Sequence, residues 1–303
     1  MAVQWFPGHM AVTRKAIVER LKLGIDVVIE MLDARLPGSS ANPLLATLTA
    51  GKPALKLLNK QDLADAERTA LWLADYNARP DTRAIALDAS EPAPAARLIA
   101  ACRALAPLRG GMVKPLRVLI CGIPNVGKST LINTLVGKRA AKTGDEAGIT
   151  RLEQAIVLAS DVTLYDTPGM LWPKVMVPES GYLLAASGAI GRNAYDEQEV
   201  AYELLAVLQA NYPDRLEARY RLTGVAALGL EELLAAIGRA RGGVRSGARV
   251  DLQKAAEVVL NDFRSTALGR ITLETPAQLA AWVVAAEIDE AGRAARKAEL
   301  NLR

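Results

Sequence analysis

The sequence predicts an α/β fold followed by a C-terminal all-helical domain, on three observations. Short apolar runs alternate with helix-length segments through the first half, a glycine-rich loop joins one such run to a helix, and past about residue 175 strand-like runs stop while helical periods continue. At 303 residues the chain is long enough for two units. They are expected at residues 1–175 and 176–303.

Composition narrows the class. Hydrophobic residues at 51% and charged residues at 23% suit a globular chain. Its apolar runs fall short of the roughly 20 residues a span needs, so no membrane association is expected. The start "MAVQWFPGHM" reads as neither a secretory signal nor a transit peptide, and a cytoplasmic location is expected. The two cysteines, Cys102 and Cys121, lie far apart, and one histidine, His9, cannot complete a His/Cys zinc cluster. A net charge of +4 is compatible with a polyanionic partner without requiring one.

Residues 10–23 read as an amphipathic helix, and "IDVVIEML" (25–32) as a buried strand running into Asp33 and a polar turn. Apolar runs at 53–59 and 82–87, separated by helical segments at 41–50, 66–78 and 92–106, predict parallel strands with crossover helices. "APLRGGMVKP" (106–115) is a joint, followed by a strand at 116–122, a helix at 128–137 and a strand pair at 154–159 and 162–166. Helices at 197–210, 229–240, 251–267 and 276–299 follow, the last capped by "ETPAQ".

"GIPNVGKST" (122–130) fits the phosphate-loop pattern between a strand and a helix. The backbone around Asn125, Val126 and Gly127 would cradle phosphates, Lys128 would reach the β- and γ-phosphates, and Ser129 and Thr130 open the helix, with the Ser129 hydroxyl offered to Mg²⁺. "LYDTPG" (164–169) adds Asp166 toward the metal and the Gly169 N–H toward the γ-phosphate. Thr150, in "EAGITR", is a second candidate hydroxyl for Mg²⁺. "NKQD" (59–62) names the base. Asp62 can accept from guanine N1–H and N2–H₂, Asn59 can bond the other edge and Lys60 can cover the ring, with Gln61 between them. The loop "LDASEP" places Ala89 and Ser90 where a backbone N–H can meet guanine O6, or where Ser90 caps a helix.

The motif order is inverted, because "NKQD" precedes the phosphate loop. A parallel sheet can be cut and rejoined elsewhere if a linker closes the old termini, and "APLRGGMVKP" is that linker. The fold class is therefore a circularly permuted Ras-like P-loop GTPase domain with a C-terminal all-helical domain.

On "WFPGHM", "DARLPGSSANP", "NKQD", "GIPNVGKST", "DTPG" and the stretch 250–276, the chain closely resembles the circularly permuted GTPases of ribosome assembly, within them the ribosome biogenesis GTPase A family and its mitochondrial relatives. Ala147 stands where that family usually has proline, and "DAS" is a loose version of its Ser-Ala loop. Ras-like enzymes carry a water-orienting glutamine after Asp-x-x-Gly, whereas this chain has Met170. The resemblance implies that His9 comes to the γ-phosphate side and aligns the attacking water as the catalytic residue.

Asn125 resembles the phosphate-loop asparagine of potassium-stimulated GTPases, so K⁺ is a candidate second cation. The run 238–249 carries Arg239, Arg241, Arg245 and Arg249 without an acid; the resemblance implies contact with large-subunit ribosomal RNA through this region. The expected partners are GTP, GDP and the large ribosomal subunit, with the chain a monomer. The alternatives are a stand-alone GTP switch with a protein or lipid effector, and an RNA-binding scaffold with negligible hydrolysis.

Overall fold

The computed structural model describes residues 8–91, 94–111, 113–136, 154–243 and 250–301. Strands β1 (Val27–Asp33), β2 (Ala54–Asn59), β3 (Thr82–Ala86), β4 (Leu116–Gly122), β5 (Gln154–Ala159) and β6 (Val162–Asp166) form one sheet in the order β3-β2-β1-β4-β6-β5. Its neighbours pair in parallel except β5 with β6, the expected strand pair, which is antiparallel.

The sequence of β1, VVIEMLD, is buried at every position, as a central strand covered on both faces must be. Register then matters for function. Asp33 is level with Asn59, and Met31 with Gly122, so the loops leaving β1, β2 and β4 emerge at one edge of the sheet, where open α/β sheets bind ligands. The linker closes behind β4: Leu116 donates to the Asp161 carbonyl, and the Asp161 carboxylate accepts from the Gly111 N–H and binds Arg103.

Helices α1 (Gly8–Lys22), α2 (Pro43–Leu48), α3 (Ala66–Asn77), α4 (Ala95–Leu105) and α5 (Lys128–Val136) accompany the sheet. Helices α6 (Pro178–Ser187), α7 (Glu197–Asn211), α8 (Pro213–Tyr220), α9 (Leu230–Ala240), α10 (Leu252–Arg264) and α11 (Pro276–Asn301) follow it, and no strand succeeds β6 among the described residues. Local chemistry sets the boundaries. Asn42 caps α2, with Pro43 at its first position, and Asp65 and Asp196 cap α3 and α7 by accepting from backbone N–H groups. Thr275 and Gln278 exchange side-chain and backbone bonds at the start of α11, the expected cap.

Two helices have no counterpart in the periodicity. α6 buries residues all round from Leu183 to Ser187, which removes the amphipathic signal, and α8 is an eight-residue polar segment. The helix expected to 267 ends at Arg264, where Thr266 adopts a left-handed φ of 60°. The main core is continuous from the sheet residues Ile29, Leu57 and Ile120 into Leu184, Leu204, Leu234 and Val259 of the later helices.

Candidate nucleotide-binding site

The phosphate loop turns between β4 and α5 through two left-handed residues, Asn125 (φ 57°) and Gly127 (φ 95°). Such a turn points successive N–H groups into one concavity, at the N-terminus of α5, and makes an anion nest. Gly127 is required by packing as well as by φ, because a Cβ there would lie 2.3 Å from Asn59 Nδ2. Lys128 is buried at the head of α5 and pairs with Asp166 at the end of β6. The phosphate-loop cation and the Asp-x-x-Gly carboxylate therefore meet. A Cβ on Gly169 would sit 3.0 Å from the Pro124 backbone, so the second phosphate element presses directly on the first.

The base loop is fastened to this cradle. Asn59 Nδ2 donates to the Val126 carbonyl (2.7 Å), and Asn59 Oδ1 accepts from the Ala89 N–H (2.8 Å). Lys60 Nζ donates to the Asn125 carbonyl (2.9 Å) and to Asp33 (2.8 Å). The two segments written in inverted order thus form one continuous rim. Asp62 is exposed at that rim in the short 3₁₀ turn Gln61–Leu63, while Gln61 donates to Glu91. Partial desolvation and the nearby Asp88 raise the Asp62 carboxyl above its ordinary value, opposed by a backbone hydrogen bond and by Arg270 and Arg35.

Asn59 was expected at the edge of the base. At 2% exposure, its amide also staples the phosphate loop to the loop after β3. That bond also occupies the Ala89 N–H, and the Ser90 N–H and hydroxyl both donate to Asp88 Oδ1. The cap position of α4 is Pro94 rather than Ser90.

Met170 and Leu171 are each 1% exposed, and the Leu171 N–H donates to Met10 Sδ (3.4 Å). The segment after Asp-x-x-Gly is therefore anchored inward, and the first turn of α1, which contains His9, lies against it. The His9 side chain, residues 5–7 of "WFPGHM", Thr150, Arg245 and Arg249 lie outside the described residues. Arg239 is exposed near the end of α9, and Arg241 lies just past it.

Several groups around these loops support them. Asp33 accepts from Arg35 Nε (2.9 Å) and Nη2 (2.8 Å), and with Lys60 forms a buried triad. Burial opposes ionisation of Asp33, but the Arg35 and Lys60 charges outweigh it and hold the carboxyl well below its usual range. Asn125 Nδ2 donates to the carbonyl of Gly188, the left-handed residue ending α6 (2.8 Å), which ties the phosphate loop to the helical region. On the base side, Ile271 donates to the Leu63 carbonyl (3.1 Å), Thr272 Oγ1 to Ala34, and Leu273 to Arg35. Glu274, fully buried, accepts from the Gly38 N–H (2.6 Å), the Ser39 N–H (2.7 Å) and the Ser39 hydroxyl. Ile271, Thr272, Leu273 and Glu274 all lie in the stretch 250–276, where the sequence suggested a role for Glu274 alone, in the cap of the last helix.

Comparison with known proteins agrees with this architecture. Residues 117–219 match the family model described as "50S ribosome-binding GTPase". Ribosome biogenesis GTPase A of Bacillus cereus is 43% identical over 91% of this chain and 95% of that protein. The chain belongs to the ribosome biogenesis GTPase A family. Another member, from Priestia megaterium, is 42% identical over 92% of this chain and 98% of its own length. The GDP-bound structure of TM YlqF superposes with a TM-score of 0.62 at 25% identity, covering 86% of this chain and 99% of that one. Membership accounts for the inverted motif order: the fold is that of a circularly permuted P-loop GTPase, and the chain binds and hydrolyses GTP.

Proposed function

We propose that the chain is a GTP-hydrolysing assembly factor for the large ribosomal subunit, acting as a cytoplasmic monomer and binding its RNA in a nucleotide-dependent way. In this reading residues 1–175 carry the nucleotide site and residues 176–303 the RNA surface. The observation that carries it is the pair of links Asn59–Val126 and Lys60–Asn125, which make a guanine reader and a phosphate cradle into one pocket.

Asp62 accepts from the guanine N1–H and N2–H₂, a donor pair that adenine lacks. The Asn125–Gly127 nest and Lys128 take the phosphates, and the Gly169 N–H meets the γ-phosphate. Among the described residues no three His, Cys, Asp or Glu side chains converge, which suits Mg²⁺ held by one or two protein oxygens and substrate phosphates. Ser129 and Asp166 supply such oxygens, with Thr150 a further hydroxyl, and the metal neutralises charge between the phosphates when bound. K⁺ beside Asn125 would act in the same sense. With Met170 turned inward, His9 is the group that orients the attacking water.

The test is co-sedimentation with purified large subunits at rising salt, in GDP and in a non-hydrolysable GTP analogue. Salt-sensitive binding that is stronger with the analogue supports the proposal. Binding indifferent to nucleotide, or confined to small subunits, contradicts it. No helix among the described residues is long and apolar enough to cross a membrane, and nothing favours a lipid effector over RNA.

A further inference from the structure

A pocket of about 670 Å³ opens in the helical region, lined by Arg215, Arg219, Arg221, Arg241, Leu268 and Gly269 among others, and it shares no lining residue with the nucleotide loops. Helix α8 turns Leu216 and Tyr220 into the core, which leaves Arg215 and Arg219, four apart, on another face. Arg221 ends the helix in a left-handed conformation (φ 55°), and Arg241 approaches from the end of α9.

The cations are positioned by packing. Asp262 of α10 accepts from Arg219 Nε (2.9 Å) and Nη2 (2.6 Å) and lies 3.8 Å from Arg241. Arg241 Nη2 also donates to the Arg219 carbonyl (3.1 Å), and its guanidinium stands 5.4 Å from the Tyr220 ring centroid. Arg215 packs on the turn before Ile271, where a Cβ on Gly269 would lie 3.0 Å from Nη1. Neither Arg215 nor Arg221 has an acidic side chain at ion-pair distance among the described residues. Four arginines therefore line one concavity, and its lining contains no carboxylate; Asp262, behind it, pairs with two of them.

That chemistry selects a phosphate. Guanidinium forks bind phosphate oxygens bidentately. The lining's one aromatic, Tyr220, is 3% exposed and offers no platform on which a base could stack. We infer that this pocket holds a backbone phosphodiester of RNA, fixing the helical region on its partner without reading sequence. The inference rests on the ribosomal reading above, and it moves the RNA contact from the linear run 238–249 to three segments brought together by the fold. Of the arginines expected from that run, Arg241 lines the pocket and Arg239 does not.

The experiment uses the full chain saturated with a non-hydrolysable GTP analogue, so that the nucleotide site is filled in the state expected to bind, and titrates a short poly(U) oligonucleotide and, separately, inorganic tripolyphosphate at several salt concentrations. The variant Arg215→Ala/Arg221→Ala should weaken poly(U) binding about tenfold or more and reduce the slope of log affinity against log salt by about 1 to 2. Arg215→Lys/Arg221→Lys should keep the slope while losing part of the affinity, and basal GTP hydrolysis should be unchanged in both. Equal poly(U) affinity and slope in the alanine variant overturns the pocket assignment and leaves the ribosomal reading standing. Loss of tripolyphosphate binding alone reassigns the pocket to a free phosphate compound and overturns the RNA assignment. Poly(U) binding through these arginines in a protein that ignores large subunits keeps the pocket and overturns the ribosomal reading.

Discussion

Replacing Asn59 with alanine should cost the chain its grip on GTP although the side chain touches no phosphate. Its amide bridges the Val126 carbonyl and the Ala89 N–H in a site only 2% exposed. Truncation leaves a buried acceptor and a buried donor without these partners, each worth about 1–3 kcal/mol. Water entering the vacated space recovers part of that, so the expected loss is about 2–3 kcal/mol, or roughly 30- to 150-fold in GTP affinity. Titration calorimetry with GTP and ATP is the assay. Discrimination between the two should also narrow, because Asp62 is held at the rim by the same loop. Affinity within about threefold of wild type would refute the idea that the staple holds the nucleotide site together.

Three further outcomes are expected. Gly127→Ala places a Cβ 2.3 Å from Asn59 Nδ2 at a φ of 95°, so it should weaken GTP at least as much as Asn59→Ala. The double variant should be less damaged than the sum, because one collision then disappears; full additivity argues against that contact. Burial raises the Glu274 carboxyl to about 7 against the opposing bonds from Ser39 and Gly38, so the folded state keeps its proton after the unfolded chain has lost it. Stability should then be greatest below the ordinary glutamate range, fall by about 3 kcal/mol as pH rises from about 4.5 to about 7, and level off above. Denaturant midpoints of wild type and Glu274→Gln across pH 4.5–8 check this: the variant should lose the slope, and a persisting slope assigns it elsewhere. His9→Ala should slow single-turnover hydrolysis about 10²-fold or more with GTP affinity near wild type; an unchanged rate removes His9 from the chemistry.

"GIPNVGKST", "DTPG" and "NKQD" were legible as motifs because each is a short stretch whose residue types a nucleotide site constrains through backbone geometry or ligand chemistry. The strands at 116–122, 154–159 and 162–166 coincide with β4, β5 and β6 for a related reason, since apolar runs bounded by turns report burial locally. What the sequence hid depends on register. Asn59 is a staple only because Asp33 and Asn59 end level and the phosphate loop arrives beside them from more than sixty residues away. Glu274 read as part of a helix cap, yet the cap is made by Thr275 and Gln278 while Glu274 turns inward to Gly38 and Ser39. Arg215 lies in a short, mostly polar helix and Arg221 just past its end, and they meet Arg241 only once α8 and α9 have packed.

Calorimetry of GTP, XTP and ATP against wild type and Asp62→Asn asks whether the inverted segments make one guanine pocket. Wild type should bind GTP at least 10²-fold more tightly than ATP, and Asp62→Asn should shift the preference toward XTP, whose C2 carbonyl accepts from the new amide. ATP binding wild type as tightly as GTP, or an Asp62→Asn variant with an unaltered GTP-to-XTP ratio, would contradict it.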